Sequence, residues 1–183
     1  MEYKKDFALF EKAMHDHDII YLYHFTDRDN LPSINMYRGL YSWYYCLNHG
    51  IQIKRPGGND LSRELDSNKG LQNYVRLSFK PYPPMLFVAI KKGRIPNPVI
   101  LKINPYVIYW KSTKFSNQNA ASNSARIGDQ ISDFDMIDFD LAKSSYDSSI
   151  HNEDDKKFIQ AEVLVEEHIP LEYIINFSDV YKF

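Results

Sequence analysis

The run Gln160-Ala161-Glu162-Val163-Leu164-Val165-Glu166, near the C-terminal end of the chain, predicts a buried β-strand with a carboxylate at its start. Three apolar residues in succession follow Glu162, as is typical of a strand inside a core. A carboxylate buried without a partner is costly, so we expect Glu162 to contact a partner or a ligand. The alternative is a glutamate on an edge strand that faces solvent.

Further strands are predicted upstream and downstream of this run. Residues 19–25 are rich in β-branched and aromatic side chains, and the end of this strand, Tyr23-His24-Phe25-Thr26, carries two polar side chains at alternate positions. The same composition predicts strands over residues 74–79, 85–91, 98–110 and 173–177.

Helical patterns concentrate near the N-terminus. Phe7, Phe10 and Met14 recur at helical spacing and predict an amphipathic helix over residues 2–15. A second helix is expected to be capped by Asp29 or Asn30, because Pro32 would then lie in its first turn.

Three polar stretches separate these elements. Residues 48–72 predict a long loop with a short helix over residues 61–65, and residues 112–124 predict a second loop. Residues 129–157 are acidic and polar, with scattered apolar anchors. Helices early and strands without βαβ regularity predict one α+β domain over residues 1–183.

Composition is typical of a soluble globular protein. Of 183 residues, 44% are hydrophobic and 25% are charged, and the net charge of −2 gives no overall attraction to nucleic acid. Nucleic-acid binding would therefore need a local patch. Lys54-Arg55 and Lys91-Lys92-Gly93-Arg94 are candidates, and the alternative for each is a solvated loop.

Several classes of protein are excluded or disfavoured. A single cysteine, Cys46, excludes an intramolecular disulfide and a cysteine-rich metal site. The carboxylates between Asp129 and Asp140 lack the spacing of a calcium loop, so no metal is predicted. No stretch is typical of a signal peptide or a membrane span. We therefore expect a cytoplasmic protein with no membrane partner.

Four segments together match the motifs of one known family. They are Tyr23-His24-Phe25-Thr26-Asp27-Arg28-Asp29-Asn30-Leu31-Pro32-Ser33-Ile34, Tyr74-Val75 to Phe79 with Pro83-Pro84-Met85-Leu86-Phe87, Phe115-Ser116-Asn117-Gln118-Asn119-Ala120-Ala121, and Gln160-Ala161-Glu162-Val163-Leu164-Val165. In this order they resemble the DarT family of bacterial toxin ADP-ribosyltransferases. The resemblance implies the ADP-ribosyltransferase fold, a split antiparallel β-structure with flanking helices and a cleft for NAD.

The resemblance also implies roles for individual residues. Glu162 would be the catalytic glutamate, and His24 and Thr26 would contact the ribose and nicotinamide side of NAD. The family uses an arginine from the region before the 74–79 strand, for which Arg63 is our choice and Arg55 the alternative.

Further contacts are expected around these groups. Cofactor contacts are assigned to Asn30, Phe79 and Phe87, and substrate contacts to Lys54, Arg55 and Asn119. Ordinary structural roles remain open for several of these residues. His24 would then be a core histidine, Thr26 a helix cap, the two phenylalanines core residues, and Arg63 a partner of Glu64 or Asp66.

The sequence departs from the family pattern at two places. Ser116, Asn117 and Gln118 stand where Thr, Asp and Arg are usual, which removes any contact made by that arginine. Ser78 stands where an aromatic residue is often found. These departures leave the target open.

The chemistry explains why such residues would be needed. Cleavage of the bond between nicotinamide and ribose creates an oxocarbenium-like centre, which a facing carboxylate stabilises. We expect an NAD-dependent toxin that transfers ADP-ribose to a nucleobase of single-stranded DNA and releases nicotinamide. The alternatives are RNA as the target of an anti-phage or toxin–antitoxin effector, a protein target, or a non-catalytic nucleic-acid-binding module. A cognate antitoxin is an expected partner.

Overall fold

The computed structural model describes residues 2–145 and 155–182. Part of the acidic stretch predicted over residues 129–157 thus lies outside the described residues. The helices are α1 (Phe7–Asp16), α2 (Leu31–Met36), α3 (Trp43–Asn48), α4 (Asp60–Asn68), α5 (Pro84–Lys91), α6 (Ile131–Phe134), α7 (Phe139–Lys143), α8 (Asp155–Phe158) and α9 (Phe177–Val180). The strands are β1 (Leu22–Asp27), β2 (Gly39–Tyr41), β3 (Tyr74–Ser78), β4 (Pro98–Ile103), β5 (Lys114–Ser116), β6 (Ile127–Gly128), β7 (Glu162–Glu166) and β8 (His168–Pro170). Short 3₁₀ turns occupy Arg28–Asn30, Pro105–Tyr109 and Leu171–Tyr173.

Six strands form one sheet in the order β4-β1-β3-β7-β5-β6, and β2 pairs with β8 in a second, two-stranded sheet. Every strand pair is antiparallel. Helices pack around these sheets, so the predicted α+β class with a split antiparallel β-structure is confirmed.

The inward face of the large sheet forms the main core. Leu77, Val163, Val165 and Phe115 are all buried on that face. Phe10 of α1 packs against Phe115, with ring centroids 5.4 Å apart. The alternation of these side chains along β3 and β7 follows from the period of two along a strand. The same alternation places the side chain of Glu162, at the start of β7, on the opposite face of the sheet.

The central sheet opens between β1 and β3. β1 pairs with β4 along its whole length, but with β3 only at Tyr23↔Ser78. Beyond that pair the two strands separate, and the His24 side chain spans the opening with Nδ1 3.0 Å from the carbonyl oxygen of Arg76. The opening provides the space for a cleft.

Two predicted strands are wrong. Residues 85–91 belong to helix α5, because Pro84 occupies its first turn and the buried residues Leu86 and Ala89 lie three positions apart. Residues 173–177 instead cover the end of a 3₁₀ turn and the start of α9, with one isolated bridge from Ile174 to Ile103.

Other boundaries also differ from the prediction. The strand predicted over residues 98–110 ends at Ile103, because the Asn104 side chain accepts a hydrogen bond from the Tyr106 N–H at 3.0 Å and starts a 3₁₀ turn. The predicted loop over residues 112–124 contains β5. The side chain of Asp27, rather than Asp29 or Asn30, caps the turn before α2.

Across residues 2–145 and 155–182, none of the helices combines the length and the apolar character that crossing a membrane requires. The same residues contain no group of three or more His, Cys, Asp or Glu side chains suited to a metal ion.

Candidate active site

A cleft of about 460 Å³ opens where β1 and β3 separate. This volume lies in the range of small-molecule and cofactor sites. Seven of the residues predicted for the site line it: His24, Thr26, Asn30, Arg55, Arg63, Asn119 and Glu162. They come from β1, the 3₁₀ turn after β1, α4, the loop before α4, the loop after β5 and the first position of β7. Residues far apart in sequence are thus brought to one cavity.

Glu162 begins β7 between Ser78 of β3 and Ser116 of β5, its register partners on either side. Its Oε2 accepts hydrogen bonds from Nη1 of Arg76 at 2.7 Å and from the backbone N–H of Ala120 at 2.9 Å. The side chain is 16% exposed. Both contacts use Oε2, so Oε1 remains to accept a hydrogen bond from a ligand in the cleft.

Arg76 joins the two sides of the opening. Its guanidinium donates to Glu162 through Nη1 and to Asp66 through Nη2, and its backbone carbonyl accepts from His24. Burial lowers the pKa of Arg76, but the charges of Glu162 and Asp66 outweigh burial and raise it overall. Arg76 is therefore a fixed cation that orients both candidate active groups.

Asp66, on α4, is the outer member of this chain of contacts. Its side chain is 11% exposed. Burial raises the pKa of Asp66, and the nearby Arg76 guanidinium offsets part of that rise. The carboxylate thus keeps Arg76 in place from the side opposite Glu162.

His24 is held as a neutral ring. Burial lowers its pKa, and the hydrogen bond to the Arg76 carbonyl offsets only part of that effect. A carbonyl only accepts, so Nδ1 carries the proton and Nε2 is left with a lone pair. His24 can thus accept a hydrogen bond from a hydroxyl or amide in the cleft.

Thr26 and Asn30 are tied to the loop that precedes α4. The Asn30 amide donates to Thr26 Oγ1 at 3.1 Å and to the carbonyl oxygen of Arg55 at 2.8 Å, and its Oδ1 accepts from the Arg55 N–H at 3.0 Å. Asn30 is buried. Most of its hydrogen-bonding capacity is therefore used to position the loop, whereas the Thr26 hydroxyl can still donate. The alternative role of Thr26 as a helix cap is taken by Asp27.

Two arginines occupy the wall of the cleft near this loop. The Arg63 guanidinium lies 5.4 Å from the ring centroid of Trp43 and lines the cleft. Arg55 also lines the cleft, and its Nε lies 3.4 Å from Asp29 Oδ2. Lys54 is exposed beside the cleft and is not part of its lining. Arg63 forms no ion pair with Glu64 or Asp66, the two partners considered from sequence. Asp66 is instead bound to Arg76.

Asn119 belongs to the loop that holds Glu162 from the other side. Its Oδ1 accepts from the Ala121 N–H at 2.9 Å, and its amide lies 3.4 Å from Oε1 of Gln160. Lys69 donates to the carbonyl oxygen of Ala120 at 3.0 Å and so links this loop to the end of α4.

Two of the residues that depart from the family pattern, Ser116 and Gln118, have structural roles at the start of the same loop. Ser116 is buried and its hydroxyl donates to the carbonyl oxygen of Gln118 at 2.7 Å. The Gln118 amide donates to the carbonyl oxygen of Ser124 at 2.8 Å. Gln118 thus shapes the loop from inside, where a larger charged side chain would be poorly accommodated.

The two predicted aromatic contacts lie away from the cleft. Phe79 is 5% exposed and packs edge-on against Phe139 in the core, with ring centroids 5.5 Å apart. Phe87 is 53% exposed on α5, on a surface outside the cleft lining. Phe79 thus takes the core position that was the alternative to a cofactor contact, and Phe87 lies on the exposed side of a helix rather than on a strand. The aromatic side chains that do line the cleft include Tyr23, Phe25, Tyr37, Tyr41, Trp43 and Tyr74.

Sequence reasoning missed Arg76, and it considered Asp66 only as a partner of Arg63. A signal was present for Arg76, because a charged residue between Val75 and Leu77 in a predicted buried strand requires a partner. The diagonal approach of Arg76 to Glu162 depends on the β3–β7 register, which pairs Ser78 with Glu162. No comparable signal marks Asp66 as a partner of Arg76, because Asp66 lies in the polar stretch that was predicted as a long loop.

The sequence profile of one family, described as "ssDNA thymidine ADP-ribosyltransferase, DarT", matches residues 23–178, which is most of the chain. The chain belongs to the DarT family. The match includes all four segments on which the resemblance was based. The predicted resemblance to the DarT family is therefore confirmed. No curated protein sequence matches the chain.

Solved structures of the family share the fold. Thermus sp. 2.9 DarT in complex with ADP-ribosylated ssDNA matches with a TM-score of 0.70 and 21% identity, over 86% of this chain and 79% of that chain. The same protein in complex with NAD+ matches with a TM-score of 0.66 and 22% identity, over 85% of this chain and 79% of that chain. Thermosipho africanus DarTG in complex with ADP-ribose matches with a TM-score of 0.70 and 25% identity, over 85% of this chain and 42% of that chain. The predicted ADP-ribosyltransferase fold is thereby confirmed.

Proposed function

We propose that this chain is a toxin that transfers ADP-ribose from NAD+ to a thymidine base of single-stranded DNA and releases nicotinamide. The observation that carries the proposal is the arrangement of Glu162 and His24 on the two sides of one cleft, both fixed to Arg76. Membership of the DarT family supports the substrate and the co-substrate.

In the proposed reaction the bond between nicotinamide and ribose breaks first, and the electron pair leaves with nicotinamide. Oε1 of Glu162 accepts a hydrogen bond from a ribose hydroxyl, and the carboxylate stabilises the positive charge that develops on the sugar. His24, neutral and with Nε2 as an acceptor, orients the nicotinamide side of NAD+. Thr26 donates its hydroxyl to the same part of the cofactor.

The acceptor atom follows from the chemistry of thymidine. Its base has one ring N–H, since the other ring nitrogen carries the deoxyribose. That nitrogen forms the new bond to the ribose carbon, and its proton is lost to Glu162 or to water. Each turnover thus yields one ADP-ribosylated base, one nicotinamide and one proton.

Other cleft residues are assigned to binding. Arg63, with its planar fork and its position over Trp43, is the proposed family arginine and contacts the pyrophosphate of NAD+. Phe25, Tyr41 and Trp43 offer rings for the bases of the cofactor. Lys54, Arg55 and Asn119 are proposed to contact the DNA strand, with Asn30 holding the loop that carries Arg55.

The test is incubation with labelled NAD+ and separate pools of single-stranded DNA, RNA and protein. Glu162→Gln should lower transfer to DNA by about 10²- to 10³-fold, which is typical for loss of one charge-stabilising group in an enclosed site. Glu64→Gln is the matched control, because Glu64 is an exposed glutamate of α4 outside the cleft lining. Transfer by Glu162→Gln at the wild-type rate would refute the mechanism. Label confined to RNA or to protein would refute the substrate.

We also infer a cognate antitoxin and a cytoplasmic site of action. The match to Thermosipho africanus DarTG, which covers 42% of that chain, supports the pairing of such a toxin with a second component. Expression of the chain should arrest growth, and co-expression of the adjacent gene should restore it. Continued arrest, with both proteins present, would argue against that partner.

A further inference from the structure

Helix α5 leaves three of its apolar side chains exposed. Leu86 and Ala89 are its buried residues, whereas Phe87, Val88 and Ile90 are 53%, 43% and 39% exposed. A helix on the surface of a globular domain ordinarily turns its apolar stripe toward the core. Neighbouring exposed apolar side chains on one helix are a candidate interaction surface.

Aromatic and basic residues flank these side chains. Tyr82, just before the helix, is 59% exposed, and Lys91 and Lys92 are exposed at its end. We define the α5 surface as Tyr82, Phe87, Val88, Ile90, Lys91 and Lys92. Rings that stack on bases, with nearby ammonium groups for phosphates, are the features of a site for single-stranded nucleic acid.

The α5 surface begins at the rim of the active site. Pro83, Pro84 and Met85 line the cleft that contains Glu162, and the α5 surface continues from these residues along the helix. A strand whose reacting base enters the cleft would therefore extend onto this surface on one side.

The distribution of charge favours a polyanion as the occupant. Residues 67–128 contain ten of the chain's 22 lysines and arginines and none of its 24 aspartates and glutamates. This acid-free segment includes β3, α5, β4, β5 and β6. The net charge of −2 thus conceals a basic segment of the chain, which carries the α5 surface, and an acidic remainder.

We propose that the α5 surface binds the stretch of single-stranded DNA that adjoins the reacting base. Phe87 and Tyr82 stack on bases, Val88 and Ile90 support them with apolar contacts, and Lys91 and Lys92 pair with phosphates. The proposal rests on the proposed function and adds the path of the substrate strand. Phe87 thereby takes a role at the DNA rather than at the cofactor.

The length of the helix sets the size of this contact. Eight residues of α-helix extend about 12 Å, which matches about three nucleotides at the ~3.4 Å spacing of one stacked strand. On this side of the reacting base, nucleotides beyond that distance should contribute little to binding by the α5 surface.

The experiment measures binding of a thymidine-containing single-stranded DNA by fluorescence anisotropy at several salt concentrations, without NAD+. Lys91→Gln/Lys92→Gln should reduce the slope of log affinity against log salt by about 1.4, since each phosphate contact on a single strand contributes about 0.7. Phe87→Ser should weaken binding about tenfold with little change in that slope, because stacking is not salt-dependent in this way.

Lys5→Gln/Lys12→Gln is the matched control. Both lysines are exposed at or near α1, outside the acid-free segment, and their loss changes the net charge equally. This variant should keep the wild-type slope. A slope reduced equally in both double variants, or unchanged in the Lys91/Lys92 variant, would overturn the proposal.

A nested series of shortened DNAs locates the contact. When about three nucleotides are removed from one side of the thymidine, the wild type and Phe87→Ser should bind equally. A tenfold difference that persists after trimming on either side would also overturn the proposal.

Transfer kinetics separate this proposal from the proposed function. If the wild type labels DNA and the α5 variants raise KM for DNA at an unchanged kcat, both proposals stand. If the wild type labels DNA and the variants match it in KM, only the α5 surface fails. If the wild type labels no DNA at all, the proposed function fails, and the α5 surface fails with it as a substrate path.

Discussion

Arg76→Met should damage both the stability and the activity of the protein, because one side chain holds two carboxylates. The guanidinium binds Glu162 at 2.7 Å and also binds Asp66, and the exposed fractions of the three side chains are 22%, 16% and 11% for Arg76, Glu162 and Asp66. Removal of one partner from a buried ion pair costs about 3–5 kcal/mol. Some water reaches these groups, so we expect the lower end, about 3 kcal/mol of unfolding free energy.

The effect on catalysis follows from orientation. Without Arg76, Glu162 keeps only the Ala120 N–H contact and can rotate toward solvent. A displacement of about 1 Å in an active site can cost about 10²-fold in rate. We expect kcat for transfer to DNA to fall by about that factor, which corresponds to about 2.7 kcal/mol in the activation free energy. Arg76→Lys should be intermediate, because an ammonium group cannot bridge both carboxylates as a planar fork does.

The assays are urea unfolding and steady-state transfer from labelled NAD+. Lys111→Met is the matched control, since it also removes one positive charge, but from an ion pair with Glu2 in which the side chains are 71% and 77% exposed. That variant should keep the wild-type stability and full activity, because exposed ion pairs contribute little. If Arg76→Met falls within threefold of the wild-type kcat and within ~1 kcal/mol of its stability, the role assigned to Arg76 is wrong.

The pH dependence gives a second check on the same variant. Burial already raises the pKa of Asp66 while Arg76 opposes that rise, so loss of Arg76 should raise the pKa further. A group with a raised pKa in the folded state loses stability as pH rises through that pKa. The stability deficit of Arg76→Met should therefore be smaller in weak acid than at neutral pH. An equal deficit at both would contradict the assigned contact.

Two further predictions concern buried lysines. Burial lowers the pKa of Lys80 from 10.5 to about 8. Between these two pH values the folded protein therefore binds fewer protons than the unfolded chain. The free energy of unfolding should rise with pH from about 8 to about 10.5, by at most ~3 kcal/mol. Lys80→Met should abolish that rise in urea unfolding, and an unchanged pH profile would contradict the buried position. Lys4 donates to the carbonyl oxygens of Thr113 and Asp129, each at 2.8 Å, so Lys4→Met should cost about 2–4 kcal/mol of unfolding free energy. Lys12→Met, at a side chain 75% exposed, should leave the stability unchanged, and equal losses in the two variants would refute the assigned difference.

The sequence was sufficient for elements whose burial pattern is local. Strands β1, β3 and β7 follow from short apolar runs, and α1 follows from the spacing of Phe10 and Met14, both of which are buried. The α5 segment was mistaken for a strand because its apolar run has no clear period, and the proline at its first position was the better indicator.

The site was predictable only where a motif marked it. Glu162 and His24 were found through their segments, and both lie in the cleft. The contact between Arg76 and Glu162 depends on strand register, and the contact of Asp66 depends on how α4 packs beside β3. Both arise from tertiary structure, over separations of 86 and 10 residues. Local patterns do not carry such information.

The connection through Arg76 has a consequence for how the site responds to change. His24 is bound to its backbone and Glu162 to its side chain, so a shift of β3 moves both groups together. Substitution of a residue that holds the Arg76 side chain in place, such as Asp66, should therefore disturb both the orientation of the cofactor by His24 and the charge stabilisation by Glu162. Asp66→Asn combined with Glu162→Gln should lower activity by less than the product of the single effects, because residues that act as a unit are non-additive. A fully multiplicative loss would mean that Asp66 and Glu162 act separately, and that Arg76 links them in space without coupling their function.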